Sequence, residues 1–577
     1  MEMFKNTIKI TKEKILKRLS TIPKPVLGLL FAILVLTSPL FGNEISLGHD
    51  HEFHMTNLYL NYKSINIFKL DILLPKVFGG TIANGFGYGT GLFYPPLSYY
   101  LTSYIASILN YFNKNIYLSI SVLEIITIIL SGTFMYILLK RIFKEYNIAS
   151  IGSISYISST YFLCNIYTRC ALAEMLTFIF IPIVFLALYE LFFGKKERFN
   201  ILFIIGYVGM IHSHLVLSVY LTLIICILFL FFSKKVLKKD IIKKLLFSSI
   251  IILLISSSYL IPLLEHKIYG DYVVFSPNGM YSKYFIEENG IRLHEFYTIT
   301  TKPNNIKIYL NLIVMTLSII TIIYNKKIFK NEQRKIYLIT LILILVSAYL
   351  SSSYFPWKKA PQFLKMIQFP WRLRGILAFS LAILAGNSIK VIKEENKNLI
   401  LILLALAIIF YGNNTIDLSN FEYPLDLYKL NMGVENEYLP TKTKDNYAYY
   451  LLRKEDINIK KGEAEINTLD NNSPYLKLQI ELTTENITIE LPRLYYLGYE
   501  IKLTDDEDNI KKIDYYENEF GFIETEINKS GLLEVSYEGT FANKISNYIT
   551  FTTATICIIF LILKNKRINF RRKYEQK

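Results

Sequence analysis

Charge is scarce in this chain, and what there is leans one way. Only 19% of the 577 residues are charged, Lys and Arg outnumber Asp and Glu by 63 to 47, and the net charge is +16. Hydrophobic residues reach 52%, a balance that excludes a disordered or collagen-like chain. Cysteine is rarer still. The four thiols (Cys164, Cys170, Cys226 and Cys557) show neither CxxC spacing nor neighbouring ligands. That excludes a disulfide-stapled module and predicts buried core thiols, with a Cys164–Cys170 bridge as the alternative. A GK[ST] phosphate loop is also missing, although six glycines fall between Gly79 and Gly91. Those glycines read as a pliable loop at the membrane interface or as a close backbone approach to a substrate.

Long apolar runs are abundant. A helix needs about 20 apolar residues to cross a bilayer. Runs of that kind fall near 24–42, 116–139, 148–166, 175–194, 246–263, 306–324, 336–355, 373–390, 398–412 and 546–563, with a longer one at 200–233. The first follows a basic stretch but ends in Thr37-Ser38-Pro39-Leu40 without a small-x-small cleavage site, which predicts a retained anchor rather than a signal peptide.

Basic residues recur on alternate connections: the N-terminus, Lys140–Lys144, Lys195–Arg198, Lys234–Lys244, Lys326–Lys335, Lys390–Lys397 and Lys564–Lys577. Together these carry a net +25, leaving −9 for everything else. The positive-inside rule places this set in the cytoplasm of a plasma-membrane protein, so the total charge reports orientation and not a nucleic-acid partner. Parity then requires 200–233 to cross twice, turning at His212-Ser213-His214, with 97–112 lying in the interface. The expectation is a polytopic α-helical protein of about twelve crossings with both termini inside.

Residues 413–545 differ. They carry a net −12, contain no spanning run, and alternate apolar and polar residues over Tyr475–Leu482 and Ile487–Leu491. That pattern predicts an extracytoplasmic β-sandwich-like domain. The expected organisation is a cytoplasmic N-terminus (1–23), a multi-pass domain (24–412) whose first outer loop is 43–115, the β-rich domain (413–545), and a last helix with its basic tail (546–577).

Most unusual polar clusters fall on the predicted outer face. Gly48-His49-Asp50-His51-Glu52-Phe53-His54 gathers three of the seven histidines with two carboxylates. Asp50 and Glu52 would share one face of a strand but diverge on a helix. Arg169 and Glu174 sit in an outer turn, where they cap helices or offer a cation to a phosphate. His212 and His214 are structural histidines or part of the same polar site. In Phe369-Pro370-Trp371-Arg372-Leu373-Arg374, the arginines snorkel beside a belt tryptophan or grip a lipid phosphate. Glu124 stands inside an apolar run and is the best argument for a transporter.

The series Gly48-His49-Asp50-x-x-Phe53-His54, then Gly87-Tyr88-Gly89 through Tyr94-Pro95-Pro96-Leu97, then Arg169-x-x-x-x-Glu174, then Phe369-Pro370-Trp371-Arg372, resembles bacterial YfhO-like multi-pass proteins. It resembles equally the membrane proteins labelled as related to 6-pyruvoyl-tetrahydropterin synthase, although no pattern here supports pterin chemistry. Both groups look like the GT-C superfamily of integral membrane glycosyltransferases. The resemblance implies a GT-C-like fold and a carboxylate in the first outer loop, acting on a polyprenyl-phosphate sugar donor and an envelope glycan or lipid acceptor. Carried over by position, that carboxylate is Asp50, with Glu52 beside it, in an inverting displacement. Arg169, Arg372 and Arg374 would bind phosphate, with Glu174, His212, His214 and Tyr94 in the same binding set. A divalent Mg or Mn ion would be held by Asp50 or Glu52 with His49, His51 or His54. The competing expectation is a non-enzymatic transporter or an envelope-assembly protein that binds glycan through 413–545.

Overall fold

The computed structural model describes residues 23–65, 76–79, 82–276, 282–298, 301–302, 306–307, 309–330, 332–416, 418, 421–422 and 436–575. The expected basic N-terminus therefore lies, up to residue 22, outside the described residues. Two apolar cores organise the rest, one within the helices and one joining the β-strands to part of the first loop.

Leu172–Phe192 and Pro370–Val391 are the most deeply buried long helices. Around them pack Leu118–Phe143, Tyr146–Ile157, Phe199–Ser213, Leu312–Ile323 and Glu332–Ser351. Helices that are apolar on every side belong either in a core or in lipid. The last helix, Phe541–Glu575, is of the second kind. It touches the bundle mainly through Lys239–Ile255 and Ser257–Tyr269, and most of its apolar residues face outward.

Among the described residues, six helices are long and apolar enough to cross a membrane, or seven if the pair Lys239–Ile255 and Ser257–Tyr269, bent by 74°, counts as one span. The apolar runs, expected to give about twelve crossings, do not become twelve full-length helices, because several runs are broken. The run at 148–166 divides at Ser158-Ser159, and the one at 200–233 divides at His214 into helices of 15 and 17 residues. Leu312–Ile323 and Lys397–Asn413 are also short. Apolar content measures burial, and a buried break needs partners more than it needs length. At the 74° bend, Ser258 N–H donates to Thr550 Oγ1 at 2.9 Å and Ser257 Oγ to Ser546 O at 3.0 Å, so the last helix satisfies the groups freed there.

The basic connections meet at one end of the bundle. Arg141 forms a two-pronged ion pair with Glu190 (2.6 and 3.1 Å), Lys196 pairs with Asp240 at 2.7 Å, and Lys390 donates to Gln333 Oε1 at 3.2 Å.

Strands between Asn458 and Tyr537 form two antiparallel sheets. One runs in the order Ile510–Ile513, Tyr499–Thr504, Gly531–Tyr537, Tyr475–Leu482, Ala464–Asn472. The other runs Tyr515–Glu517, Phe522–Ile527, Ile487–Leu494, Asn458–Lys461. Inward residues of both, including Leu478, Ile501, Ile489 and Ile527, enter one core.

Phe86, Tyr88, Leu92 and Phe93 belong to that same core. The glycine segment, read as a pliable interfacial loop or as a close backbone approach to a substrate, makes its close approach to the β-region. Leu494 N–H donates to Phe86 O at 2.9 Å, and a Cβ on Gly89 would lie 2.6 Å from the Tyr496 ring. Gly89→Val is expected to lift this segment off the sheets at a cost of about 1–3 kcal/mol. A lowered unfolding temperature in detergent, with new protease cleavage between residues 79 and 91, is the check. Unchanged stability would show that the segment repacks freely.

Candidate functional site

The N-terminal ends of Leu172–Phe192 and Pro370–Val391 open, at the end away from the basic connections, into a cavity of about 440 Å³. Its wall is discontinuous in sequence. His49, Asp50 and His54 come from the first loop, Tyr94 from the glycine segment, Arg169 and Glu174 from the turn, His214 from the break in 200–233, Gln368 and Arg372 from the later motif, and Glu437 and Tyr438 from the approach to the strands.

The first loop is held by backbone pairing. His49 N–H donates to Thr168 O at 3.2 Å and Asp50 N–H to Arg169 O at 2.9 Å, while Ser46 Oγ donates to Tyr167 O at 3.0 Å. A Cβ on Gly48 would lie 2.5 Å from the Arg169 carbonyl carbon, so only glycine lets the two chains meet. Asp50 then precedes the helix His51–Ser64 without using its side chain as a cap. Aspartate at that position usually accepts from the first turn. Here the carboxylate instead stands 3.7 Å from Arg169 Nη2 and remains about one-third exposed.

Glu174 anchors the opposite wall. Arg169 Nη1 donates to Glu174 Oε2 at 2.7 Å and to Asn165 Oδ1 at 2.9 Å; Tyr161 donates its hydroxyl to Glu174 Oε1, and Arg372 Nε lies 3.7 Å from Oε2. Arg372 is fixed from behind, donating through Nη1 to Gln368 Oε1 at 2.7 Å and Ile367 O at 2.9 Å. Its buried Nε has no hydrogen-bond partner among the described residues. Such a donor beside a cavity suits an anionic oxygen.

His54 is buried, with Nδ1 2.9 Å from the Tyr99 hydroxyl. Burial lowers its pKa from 6.5 to about 4, against the opposing pull of Asp50, so the ring is neutral at pH 7. His214 Nδ1 accepts from Leu217 N–H at 3.3 Å at the start of the helix Leu215–Phe231.

The remaining sequence candidates fall elsewhere. Glu52 is exposed and off the cavity, because 51–64 is a helix and carboxylates two apart diverge on it. His51 turns back, its Nδ1 2.5 Å from Gly48 O, and does not line the cavity. His212 faces an adjoining cavity. Arg374, one helical step of about 200° beyond Arg372, is fully buried over the Phe296 ring at 4.1 Å. Glu124 is buried away from the cavity, both oxygens lacking hydrogen-bond partners among the described residues. Trp371 is also buried, stacked on Phe369 at 4.5 Å, and is not a belt residue. The four cysteines are free.

For a divalent ion the donor set fits poorly. No three of His, Cys, Asp and Glu converge among the described residues, and His51 and His54 already engage Gly48 O and the Tyr99 hydroxyl.

Several residues of the wall and of the network behind it carried little warning. Asn165 and Gln368 each stand four residues before an arginine, a helical spacing that hinted at their contacts. Tyr161, Glu437 and Tyr438 had no local signal. Tyr438 is placed by three remote rings: its N–H donates to the Tyr88 hydroxyl at 3.2 Å, its carbonyl accepts from the Tyr496 hydroxyl at 2.8 Å, and its ring stacks on Phe93 at 5.6 Å.

Residues 92–419 match a family model described as "6-pyruvoyl-tetrahydropterin synthase related domain; membrane protein". The match covers more than half of the chain, which belongs to this membrane-protein family. It includes Arg169, Glu174, His214 and Arg372, while Asp50 and the β-strands lie outside it. None of the curated proteins compared matches the chain. Among solved structures, the chain is similar to the arabinofuranosyltransferase AftD from Mycobacteria, determined by cryo-electron microscopy, with a TM-score of 0.46 and 13% identity over 68% of this chain. That alignment spans 26% of AftD, about a quarter of its length.

Two outcomes test this geometry. Glu174→Ala would leave the Arg169 charge buried without its acceptor and is expected to cost about 3–5 kcal/mol, read from unfolding in detergent; a loss below about 1 kcal/mol would show Arg169 finding another partner. A folded-state pKa below the unfolded value means that His54 contributes stability fully above pH 6.5, and that this is lost as pH falls toward about 4. The contribution is at most about 3 kcal/mol. His54→Gln should flatten the unfolding temperature across that window, and an unchanged slope would assign the pH dependence to another group.

Proposed function

We propose that the chain is a membrane glycosyltransferase that moves a sugar from a polyprenyl-phosphate donor to a cell-envelope acceptor, using the 440 Å³ cavity on the outer face. The observation that carries this reading is the convergence of Asp50, Arg169, Glu174 and Arg372, separated by more than 300 residues of chain, on that one cavity.

The chemistry follows from what these groups can do. The Asp50 carboxylate takes the proton of an acceptor hydroxyl as its oxygen attacks the anomeric carbon. The bond from that carbon to the phosphate oxygen breaks with inversion, and the electron pair leaves on the lipid phosphate. Arg372, with its orphaned Nε, and Arg169 stabilise the charge that develops there. Glu174 is a positioning residue that keeps both guanidiniums in place without occupying the phosphate's position. Tyr94 and His214 line the cavity as neutral hydrogen-bonding groups for sugar hydroxyls.

Orientation is supported by the charge pattern. In Leu172–Phe192 and Pro370–Val391 the site residues stand at one end, while Lys195, Lys196 and Lys390 follow the other. The positive-inside rule then directs the cavity outward, where a sugar has to arrive on a lipid because nucleotide sugars remain in the cytoplasm. The same rule keeps both termini inside and the β-region outside, with the shorter apolar helices completing the membrane domain. A transporter reading draws less support, since Glu124 does not face the cavity.

Asp50→Asn is expected to abolish transfer, by about 10²–10⁴-fold, while leaving membrane insertion and unfolding temperature unchanged. Arg372→Gln should depress turnover by a comparable factor. The measurement is mass spectrometry of envelope glycolipids from cells carrying each variant. Full glycosylation with Asp50→Asn would remove Asp50 as the base, and loss of activity with Glu124→Gln alone would favour transport.

A further inference from the structure

A second cavity, of about 210 Å³, adjoins the first across Tyr94 and Tyr259, which line both. It lies where the first loop, the 74° bend and the start of the last helix meet. Its walls hold an unusual number of unmet polar atoms. Asn61 Oδ1, Thr90 Oγ1, His212 Nε2, the Tyr537 hydroxyl and Asn543 Oδ1 are all buried with no hydrogen-bond partner among the described residues. Asn61 and Thr90 are each 1% exposed and Asn543 5%. Buried polar atoms are satisfied in the great majority of cases, and leaving one unmet is costly. Five around one cavity mark a place shaped for a polar occupant.

Lys76 defines the charge of that occupant. Its Nζ donates to Ser258 O at 3.1 Å, which leaves two of its three donors. It forms no ion pair within 4.0 Å among the described residues, and burial alone draws its pKa from 10.5 down to about 8. The group is thus still mainly protonated at pH 7 and faces the cavity without a carboxylate to offset it. Glu538 also lines the cavity, but it is exposed at the rim and accepts from Ser536 Oγ at 2.8 Å.

The unmet groups are mixed in kind. Lys76, Thr90 and Tyr537 offer protons, whereas the two asparagine oxygens require them. Inorganic phosphate, largely an acceptor, would serve only the first set, and a neutral polyol would leave the lysine unpaired. We propose that this cavity is a binding site for a hydroxylated oxyanion with the chemistry of a sugar phosphate or cyclitol phosphate, its phosphoryl oxygens on Lys76 and its hydroxyls on Asn61 and Asn543. The site is separate from the Asp50 cavity, so it stands whether or not Asp50 acts as a base.

Titration calorimetry on the full chain in detergent, with glucose 1-phosphate as probe, tests the assignment. Saturable binding is expected in the wild type and in Arg372→Ala, which removes a cation of the larger cavity. Lys76→Met should weaken it by at least about tenfold and Asn543→Leu by several-fold, while Lys76→Arg keeps it within a few-fold and controls for folding. Methyl glucoside should not displace the probe, and inorganic phosphate should do so only weakly. Binding that is absent, indifferent to Lys76→Met, or abolished by Arg372→Ala would overturn the proposal. Nanodiscs containing phosphatidylinositol decide the source: displacement of the probe assigns a lipid headgroup, and no displacement a soluble phosphate; either result requires the site.

Discussion

A carboxylate buried at the head of a membrane helix is tolerable only when its charge is met, and Glu174 is met three times. Arg169, Tyr161 and Arg372 reach it from its own turn, from the preceding helix and from a segment some two hundred residues later. Burying one ion costs several kcal/mol, so the partners are held as firmly as the carboxylate. Arg169 in turn fixes the first loop, because Asp50 N–H bonds to its carbonyl and Gly48 packs against its backbone. From one ion pair the wall of the cavity extends outward.

The β-region completes that wall at second hand. Its core is continuous with the glycine segment, and through Tyr88 and Tyr496 it holds Tyr438 at the cavity. Phe93 stacks on Tyr438, and the next residue, Tyr94, faces both cavities. The β-region and the cavity are thus linked by packed rings, which transmit displacement better than a loop would. Inside the bundle the short helices play a matching part. The break at His214 ends a helix early so that a polar side chain reaches the cavity.

Much of this was legible in the sequence where a residue ran against its surroundings. Asp50 with His49 and His54, Arg169 with Glu174, and Arg372 at the wrong end for the charge bias all line one cavity. The membrane-protein family was legible too, from short motifs in a fixed order. The misreadings share one cause, which is that direction depends on local backbone. Glu52 and His51 turn away because the loop becomes a helix at residue 51, and Arg374 points inward because it lies two residues beyond Arg372 on another. The expected crossings are not all full-length helices for a related reason: apolar runs continue through helix breaks that only packing can satisfy.

By itself the sequence determined the medium of the chain, since apolar runs demand lipid or a buried core and are sums over many residues that no single contact can reverse. It also pointed to strands where apolar and polar residues alternate, over Tyr475–Leu482 and Ile487–Leu491, and strands stand there. Only the tertiary structure decided which polar residues meet. Hydrogen bonds and ion pairs act over a few ångströms between groups hundreds of residues apart. Whether Asp50 lies beside Arg169, or Lys76 and Asn543 line one cavity, depends on where each segment finally packs.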